Sequence, residues 1–108
     1  MSTTIRNTFP ILNGDWTFTV SLGGRGSSDA AISMVQEAEE KISGSYTGKL
    51  GNTPITGTYE GNNFEFTFTS ERLGTDITYR GELISDGTVK GSVIIRDKAV
   101  GTYTGTKN

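Results

Sequence analysis

The segments ISGSYTG (residues 42–48), ITGTYEG (55–61) and AVGTYTGT (99–106) repeat one short pattern, in which a glycine stands two residues before a tyrosine. Side chains two residues apart lie on the same face of a β-strand. Because Ile42 and Ile55 belong to that face, the glycines and tyrosines are expected on its inner, apolar side. The repeated pattern therefore predicts an all-β protein whose core sets small residues beside large rings.

The same alternation of apolar and polar residues continues along most of the chain. Short alternating runs that are separated by Gly, Asn and Asp are typical of antiparallel strands joined by tight turns. They predict strands at about 16–22, 41–48, 54–60, 64–69, 75–83, 88–95 and 99–106. Because the connections are short, consecutive strands are expected to pair as hairpins in an up-and-down meander.

The segment SSDAAISMVQEAEEK, residues 27–41, has two interpretations. Its Ala, Met, Gln and Glu residues favour a helix, which Ser28 or Asp29 could cap. As a strand it turns Ile32 and Met34 inward and makes its turn at EAEE. We prefer the strand, because it completes an even set of eight. The prediction is one domain, residues 1–108, with an eight-stranded antiparallel up-and-down β-barrel (14–107) behind a short N-terminal plug segment (1–13).

Small and large residues are both expected inside this barrel. Glycine in the interior of a strand marks a bend or a close approach of another group. The inward glycines are Gly44, Gly57, Gly81, Gly91 and Gly101. The inward aromatic residues are Trp16, Phe18, Tyr46, Tyr59, Phe64, Phe66, Phe68, Tyr79 and Tyr103. An eight-stranded barrel either fills itself with side chains or holds one small ligand, and the residue count leaves both outcomes open.

Composition excludes several classes of function. The 108 residues include 10 basic and 12 acidic ones, so no broad basic face is expected to bind nucleic acid. The chain has no histidine and no cysteine, which excludes disulfides, thiol nucleophiles, imidazole metal sites and Ser-His-Asp chemistry. No carboxylate falls on the inward register. We therefore predict no metal, no cofactor and no catalytic residue, and we favour a binding protein over an enzyme.

The first residues, MSTTIRNTFPILNGDW, lack the charged and then apolar layout of a signal peptide. No stretch approaches the roughly 20 apolar residues that a membrane-spanning helix needs. A cytoplasmic location with no membrane span is the expectation.

The segments NTFPILNGDW (7–16), LNGDWTFTV (12–20) and GTYTGTK (101–107) resemble the calycin barrels, which comprise lipocalins, fatty-acid-binding proteins and avidins, and also small bacterial lipocalin-like domains. The likeness spans about residues 9–107. It implies a lipocalin-like barrel in which Phe9, Ile11 and Leu12 fold under one end. It also implies a basic side chain packed across Trp16, for which Lys107 is the candidate. Avidin's longer biotin-binding loops are missing, so biotin binding is not implied.

The directions of the predicted strands place both chain ends at the plugged end of the barrel, which leaves the opposite end as the mouth. Cations are expected around that mouth and apolar residues inside it, so the predicted ligand is a small hydrophobic or amphipathic molecule, including anionic ones. The predicted rim residues are Arg25, Lys49, Arg72 and Arg96. The predicted lining residues are Val20, Leu22, Tyr46, Ile55, Phe66, Phe68, Ile77, Tyr79 and Val93.

Two other functions stay open at this point. Small barrels that this chain resembles include allene oxide cyclases and spirotetronate-forming cyclases, which act by positioning a reactive substrate. A structural or protein-interaction barrel with a filled core is the second alternative. Its outer threonines would suit a homodimer contact or water equally well, and they are Thr56, Thr58, Thr67, Thr69, Thr78, Thr102 and Thr104.

Overall fold

The structure is a computed structural model that describes residues 12–23, 26–85 and 87–108. The protein is all-β, and the only helical piece in these ranges is a 3-10 turn at Ala38–Glu40. Alternating apolar residues form eight strands, which are β1 (Gly14–Leu22), β2 (Ser27–Glu37), β3 (Lys41–Gly48), β4 (Gly51–Glu60), β5 (Asn63–Ser70), β6 (Thr75–Ser85), β7 (Thr88–Ile95) and β8 (Lys98–Lys107).

The eight strands close into one barrel. Each strand pairs antiparallel with the next one in sequence, and β8 returns to pair with β1. At the seam between β1 and β8, Trp16 lies opposite Lys107 and Val20 lies opposite Tyr103. The up-and-down order follows from the short connections, which let each strand reach only its neighbour. The predicted eight-stranded antiparallel barrel is confirmed.

The segment that favoured a helix by composition is a strand. Residues 27–37 form β2, and inside it Ala30, Ile32 and Met34 are buried against the other strands. The chain then turns at Ala38–Glu40, where Glu39 and Glu40 take positive φ angles of 64° and 60°. Burial of the alternating face therefore outweighs the helix propensity of the Ala, Met and Glu residues.

Aromatic rings fill the middle of the barrel. Phe18 stacks on Tyr103 with ring centroids 4.7 Å apart, and Phe66 stacks on Tyr79 at 5.2 Å. Eight of the nine predicted inward aromatics are buried. Tyr59 is the exception, because it is only half-buried and its hydroxyl reaches the carbonyl of Glu37 at 3.5 Å. The ring of Tyr59 packs against the core at its edge, near the end of β4.

The inward glycines allow close approach of neighbouring strands, as the sequence predicts. A Cβ atom on Gly57 would overlap the carbonyl oxygen of Glu65, and one on Gly91 would overlap that of Arg80. A Cβ atom on Gly81 would overlap the hydroxyl of Tyr103. These positions let the strands coil tightly and leave room for rings that lie across them.

The end of the barrel that holds the start of β1 is closed by Leu12 and Trp16, which are both buried. The indole Nε1 of Trp16 donates a 2.9 Å hydrogen bond to the carbonyl of Leu12. The backbone N–H of Leu12 donates to Oε1 of Gln36 at 2.8 Å, and Lys107 Nζ lies 5.4 Å from the centre of the Trp16 ring. Phe9 and Ile11, the other predicted plug residues, lie outside the described residues. Within the described ranges no helix has the length and apolar character needed to cross a membrane.

Candidate functional site

A cavity of about 820 Å³ opens at the end of the barrel opposite Leu12 and Trp16. It lies where β1, β3, β5 and β7 end and where the next strands begin. Its floor includes Tyr46 and Tyr79, which belong to the ring cluster that fills the middle of the barrel. The barrel is thus neither wholly filled nor wholly hollow, because rings fill its middle and a space remains at the end opposite Leu12 and Trp16.

Five of the predicted lining residues are brought together in this cavity: Val20, Leu22, Tyr46, Tyr79 and Val93. The other four, which are Ile55, Phe66, Phe68 and Ile77, are buried in the core and do not line the cavity. Their side chains also point inward, but other side chains separate them from the cavity. Two of them support the lining directly, since Phe68 stacks on Tyr46 at 4.2 Å and Phe66 stacks on Tyr79.

Several lining residues were missed by the sequence reasoning, namely Ala30, Leu50, Leu73, Ile95 and Val100 together with Ser27 and Ser28. Ala30 and Ser28 follow the inward register of β2, so alternation could have identified them. Leu50 and Leu73 lie in turns, where no periodic pattern assigns a direction. Leu73 and Val100 are exposed apolar residues at the mouth.

The predicted cationic rim is only partly assembled. Lys49 and Arg72 both line the cavity mouth. Arg96 is exposed in the turn between β7 and β8 and does not line the cavity, so its prediction as a rim residue does not match this geometry. Arg25 lies outside the described residues.

Ser70 connects, through hydrogen bonds, the two turns that carry Lys49 and Arg72. Its hydroxyl donates to the carbonyl of Leu50 at 3.0 Å and accepts from the backbone N–H of Leu73 at 3.2 Å. Ser70 is fully buried, so water does not replace these bonds. The two cations therefore project from turns that are held at a fixed spacing.

Three tyrosine hydroxyls lie inside the barrel. Burial raises the pKa of Tyr46, of Tyr79 and of Tyr103, because the phenolate form loses its hydration. The rings of Tyr46 and Tyr79 are neighbours, with centroids 6.3 Å apart, and Tyr46 further raises the pKa of Tyr79. The buried hydroxyl of Tyr103, which lies over Gly81, has no hydrogen-bond partner among the described residues. All three groups consequently remain neutral hydrogen-bonding groups at ordinary pH.

The lining of this cavity is chemically mixed. Its described lining combines apolar side chains with two phenols, two serines and two cations, and it contains no carboxylate. In the part of the chain that the structure describes, no group of three acidic, histidine or cysteine residues is placed to hold a metal ion. Apolar walls with a few convergent polar groups are typical of pockets for small molecules.

Comparison with known proteins gives the fold. No protein-family model matches the chain, and no curated protein matches it either. Among solved structures, a redesigned β-barrel is similar with a TM-score of 0.73 and 17% identity, covering 91% of this chain and 92% of that one. A second redesigned β-barrel, mFAP1 bound to DFHBI, has a TM-score of 0.69 and 12% identity, covering 91% and 95%. At this identity the likeness establishes a shared closed barrel architecture and no family.

Proposed function

We propose that the protein binds a small, flat, apolar or amphipathic molecule with an anionic end, in the cavity at the open end of the barrel. The observation that carries this proposal is a cavity of about 820 Å³ in which apolar side chains and two phenols form the walls, with Lys49 and Arg72 at its mouth. A volume of this size lies in the usual range for small-molecule pockets.

The shape of the interior supports a flat ligand. Tyr46 and Phe68 stack with an interplanar angle of 18°, and Phe66 and Tyr79 stack at 16°. Rings that are already stacked have few rotamers left to lose, so a planar ligand would meet a prearranged surface. Val20, a short aliphatic side chain, lines the same cavity.

The charges at the mouth support an anionic end. Lys49 and Arg72 are exposed, and both border the cavity. Glu71 lies beside Arg72 in the same turn and Asp97 lies in the turn between β7 and β8, but neither lines the cavity. Cations at the opening of an apolar pocket attract an anion and then remain beside its charged group while the apolar part is buried.

A similar barrel gives independent support for ligand binding in this architecture. The solved structure of mFAP1 is a complex with the small dye DFHBI. We further propose that the chain is related to the calycins, on the strength of Trp16 in the first strand, the burial of Leu12 under the barrel and the position of Lys107 over the indole.

The proposal is tested by fluorescence titration with two dyes that share one ring system. Anilinonaphthalene sulfonate carries an anionic group, and N-phenylnaphthylamine lacks it. Both dyes should bind saturably, and the sulfonate should bind more tightly. The double variant Lys49→Glu/Arg72→Glu should weaken the sulfonate by roughly tenfold or more and leave the neutral dye unchanged. DFHBI serves as a third probe.

The matched control is Lys41→Glu/Lys90→Glu, in which two exposed lysines away from the mouth are reversed. This control alters only the net charge of the protein and should change sulfonate binding by less than about twofold. The proposal is contradicted if no dye binds saturably. It is also contradicted if the two double variants lose sulfonate affinity equally.

A further inference from the structure

We infer that the natural ligand presents a hydrogen-bond acceptor oxygen, such as a carbonyl, carboxylate or phenolate oxygen, to the Tyr46–Tyr79 pair on the cavity floor. This inference rests on the proposed function, because it names the polar group by which the same cavity holds a flat aromatic molecule. The carrying observations are the position of the two rings and the number of protons on their hydroxyls.

The ring of Tyr46 is held in one place. It stacks on Phe68 at 4.2 Å and meets the edge of Tyr79 at 6.3 Å with an interplanar angle of 63°. Its hydroxyl lies in space that Gly48 leaves free, since a Cβ atom there would be 2.7 Å from the hydroxyl oxygen. The position of the Tyr46 hydroxyl oxygen is therefore set by its neighbours before a ligand arrives.

Counting hydrogen bonds shows that one proton of the pair is unused. The backbone N–H of Leu50 donates to the Tyr46 hydroxyl oxygen at 3.4 Å. The Tyr79 hydroxyl belongs to the neighbouring ring, and two hydroxyls can share at most one hydrogen bond. Each hydroxyl carries one donor proton, so two hydroxyls joined by at most one hydrogen bond keep at least one O–H without an acceptor. Tyr103 does not accept it, because the Tyr103 hydroxyl has no partner among the described residues.

A tyrosine O–H without an acceptor on the cavity floor favours a ligand that carries a hydrogen-bond acceptor. Both rings line the cavity, and both are almost fully buried, so a ligand that fills the cavity displaces the water that could otherwise accept this proton. Lys49 and Arg72 at the mouth are also donors only. A ligand with acceptor oxygens satisfies these groups, whereas a ligand that offers only N–H or ammonium groups leaves them without partners.

The test uses a neutral probe, so that the cations at the mouth do not contribute. The dye propionyl-dimethylaminonaphthalene carries a ketone, and dimethylaminonaphthalene is the same molecule without it. The ketone dye should bind more tightly, and its emission should show the red shift of a hydrogen-bonded carbonyl. Tyr46→Phe and Tyr46→Phe/Tyr79→Phe should each weaken the ketone dye by about fivefold, shift its emission to the blue and leave the ketone-free dye unchanged.

Tyr103→Phe is the matched control, because it removes a buried phenol that does not line the cavity, and it should alter neither dye. In the Tyr46→Phe variant, Tyr79 still has a hydroxyl that can donate to the dye. The double variant removes both donors and is therefore the decisive comparison. Tight binding of both dyes with unchanged affinity and emission in the double variant would overturn this inference and leave the proposed function intact. Failure of both dyes to bind the parent protein would contradict the proposed function itself.

Discussion

The hydroxyl of Ser70 donates a 3.0 Å hydrogen bond to the carbonyl of Leu50, which lies 20 residues earlier in the chain. The same hydroxyl accepts from Leu73, so one buried side chain connects the turn after β3 to the turn after β5. These turns carry the two cations at the mouth of the cavity. The spacing of the cations therefore depends on Ser70, whose hydroxyl bonds to Leu50 and Leu73 and not to the cations themselves.

Ser70→Ala should lower the free energy of unfolding by about 2 kcal/mol, because it leaves the Leu50 carbonyl and the Leu73 N–H without partners in a buried place. It should also weaken anilinonaphthalene sulfonate binding by loosening the rim. Urea unfolding and dye titration measure the two effects. Ser45→Ala, at an exposed strand position, should change stability by less than about 0.5 kcal/mol. Equal effects of the two substitutions would contradict the role of Ser70.

Ser28→Trp should block the cavity. Ser28 lines it from β2 opposite Val20 and is half-buried, so a large ring at this position can occupy the ligand space without displacing the core. Binding of both naphthalene dyes should fall by more than about tenfold, with a stability change below about 1 kcal/mol. Ser45→Trp on the outer wall is the control and should bind both dyes normally. Undiminished binding by Ser28→Trp would place the dye site elsewhere.

The turn between β7 and β8 should tolerate replacement of both its central residues. Ile95 pairs with Lys98, and Arg96 and Asp97 between them have φ angles of 54° and 66°. A two-residue hairpin with positive φ at both positions prefers Asn-Gly. Arg96→Asn/Asp97→Gly should raise the free energy of unfolding by about 1 kcal/mol, as measured in urea.

This turn variant also separates Arg96 from the rim. Because Arg96 does not line the cavity, sulfonate binding should change by less than about twofold. Arg72→Asn should weaken that binding clearly more. If the turn variant and Arg72→Asn weaken sulfonate binding equally, then Arg96 does contribute to the binding site.

Gly57→Ala should be strongly destabilising. An added Cβ atom would overlap the carbonyl oxygen of Glu65 and the backbone of Phe66, and backbone atoms cannot move aside as a flexible side chain can. The expected cost is about 3 kcal/mol in the free energy of unfolding. Thr58→Ala, at the adjacent outward position, should cost less than about 1 kcal/mol. A mild effect of Gly57→Ala would show that the strands can separate there.

Stability should fall in alkaline solution. Below about pH 10 the buried phenols are protonated in both the folded and the unfolded chain. Above that pH the unfolded chain releases these protons, whereas burial keeps them on Tyr79 and Tyr103 in the native protein. The unfolded state then binds fewer protons, so the free energy of unfolding decreases by up to about 1.4 kcal/mol per pH unit for each phenol.

Tyr103→Phe checks this mechanism. The variant should have a shallower decrease of stability above about pH 10, since one buried phenol no longer contributes. At neutral pH it should be as stable as the parent or more so, because it removes a buried hydroxyl that has no hydrogen-bond partner within residues 12–23, 26–85 and 87–108. Urea unfolding at several pH values measures both effects. An unchanged alkaline slope would mean that Tyr103 does not remain protonated in the native state.

The strands, their order and the inward face could be predicted because a period of two is a local property of the sequence. The glycines could be interpreted in the same way, since Gly57 and Gly91 stand on a face that is otherwise apolar. Even the segment around Ile32, whose composition favours a helix, was decided correctly by the need for an even number of antiparallel strands. These inferences require only that each strand pair with its neighbours.

The extent of the cavity could not be predicted, because it depends on how far rings reach along the barrel axis. Alternation assigns Tyr46 and Phe66 to the same side, but it does not say which of them borders open space and which lies behind. Turn residues such as Leu50 and Leu73 have no periodicity at all. Ser70 did have a signal, since it continues the inward register of Phe64, Phe66 and Phe68.

The pairing of β1 with β8 joins the two ends of the barrel sequence, and beside it the hydroxyl of Thr17 donates to Oδ1 of Asn108, 91 residues later in the chain. Contacts between residues so distant in sequence form late, after the hairpins between consecutive strands. Until they form, the folding chain is an open sheet with two unpaired edges, which can recruit other copies. The refolding yield should therefore decline as the protein concentration rises. The folded barrel, in which β1 and β8 are paired, should remain monodisperse at concentrations that lower the refolding yield.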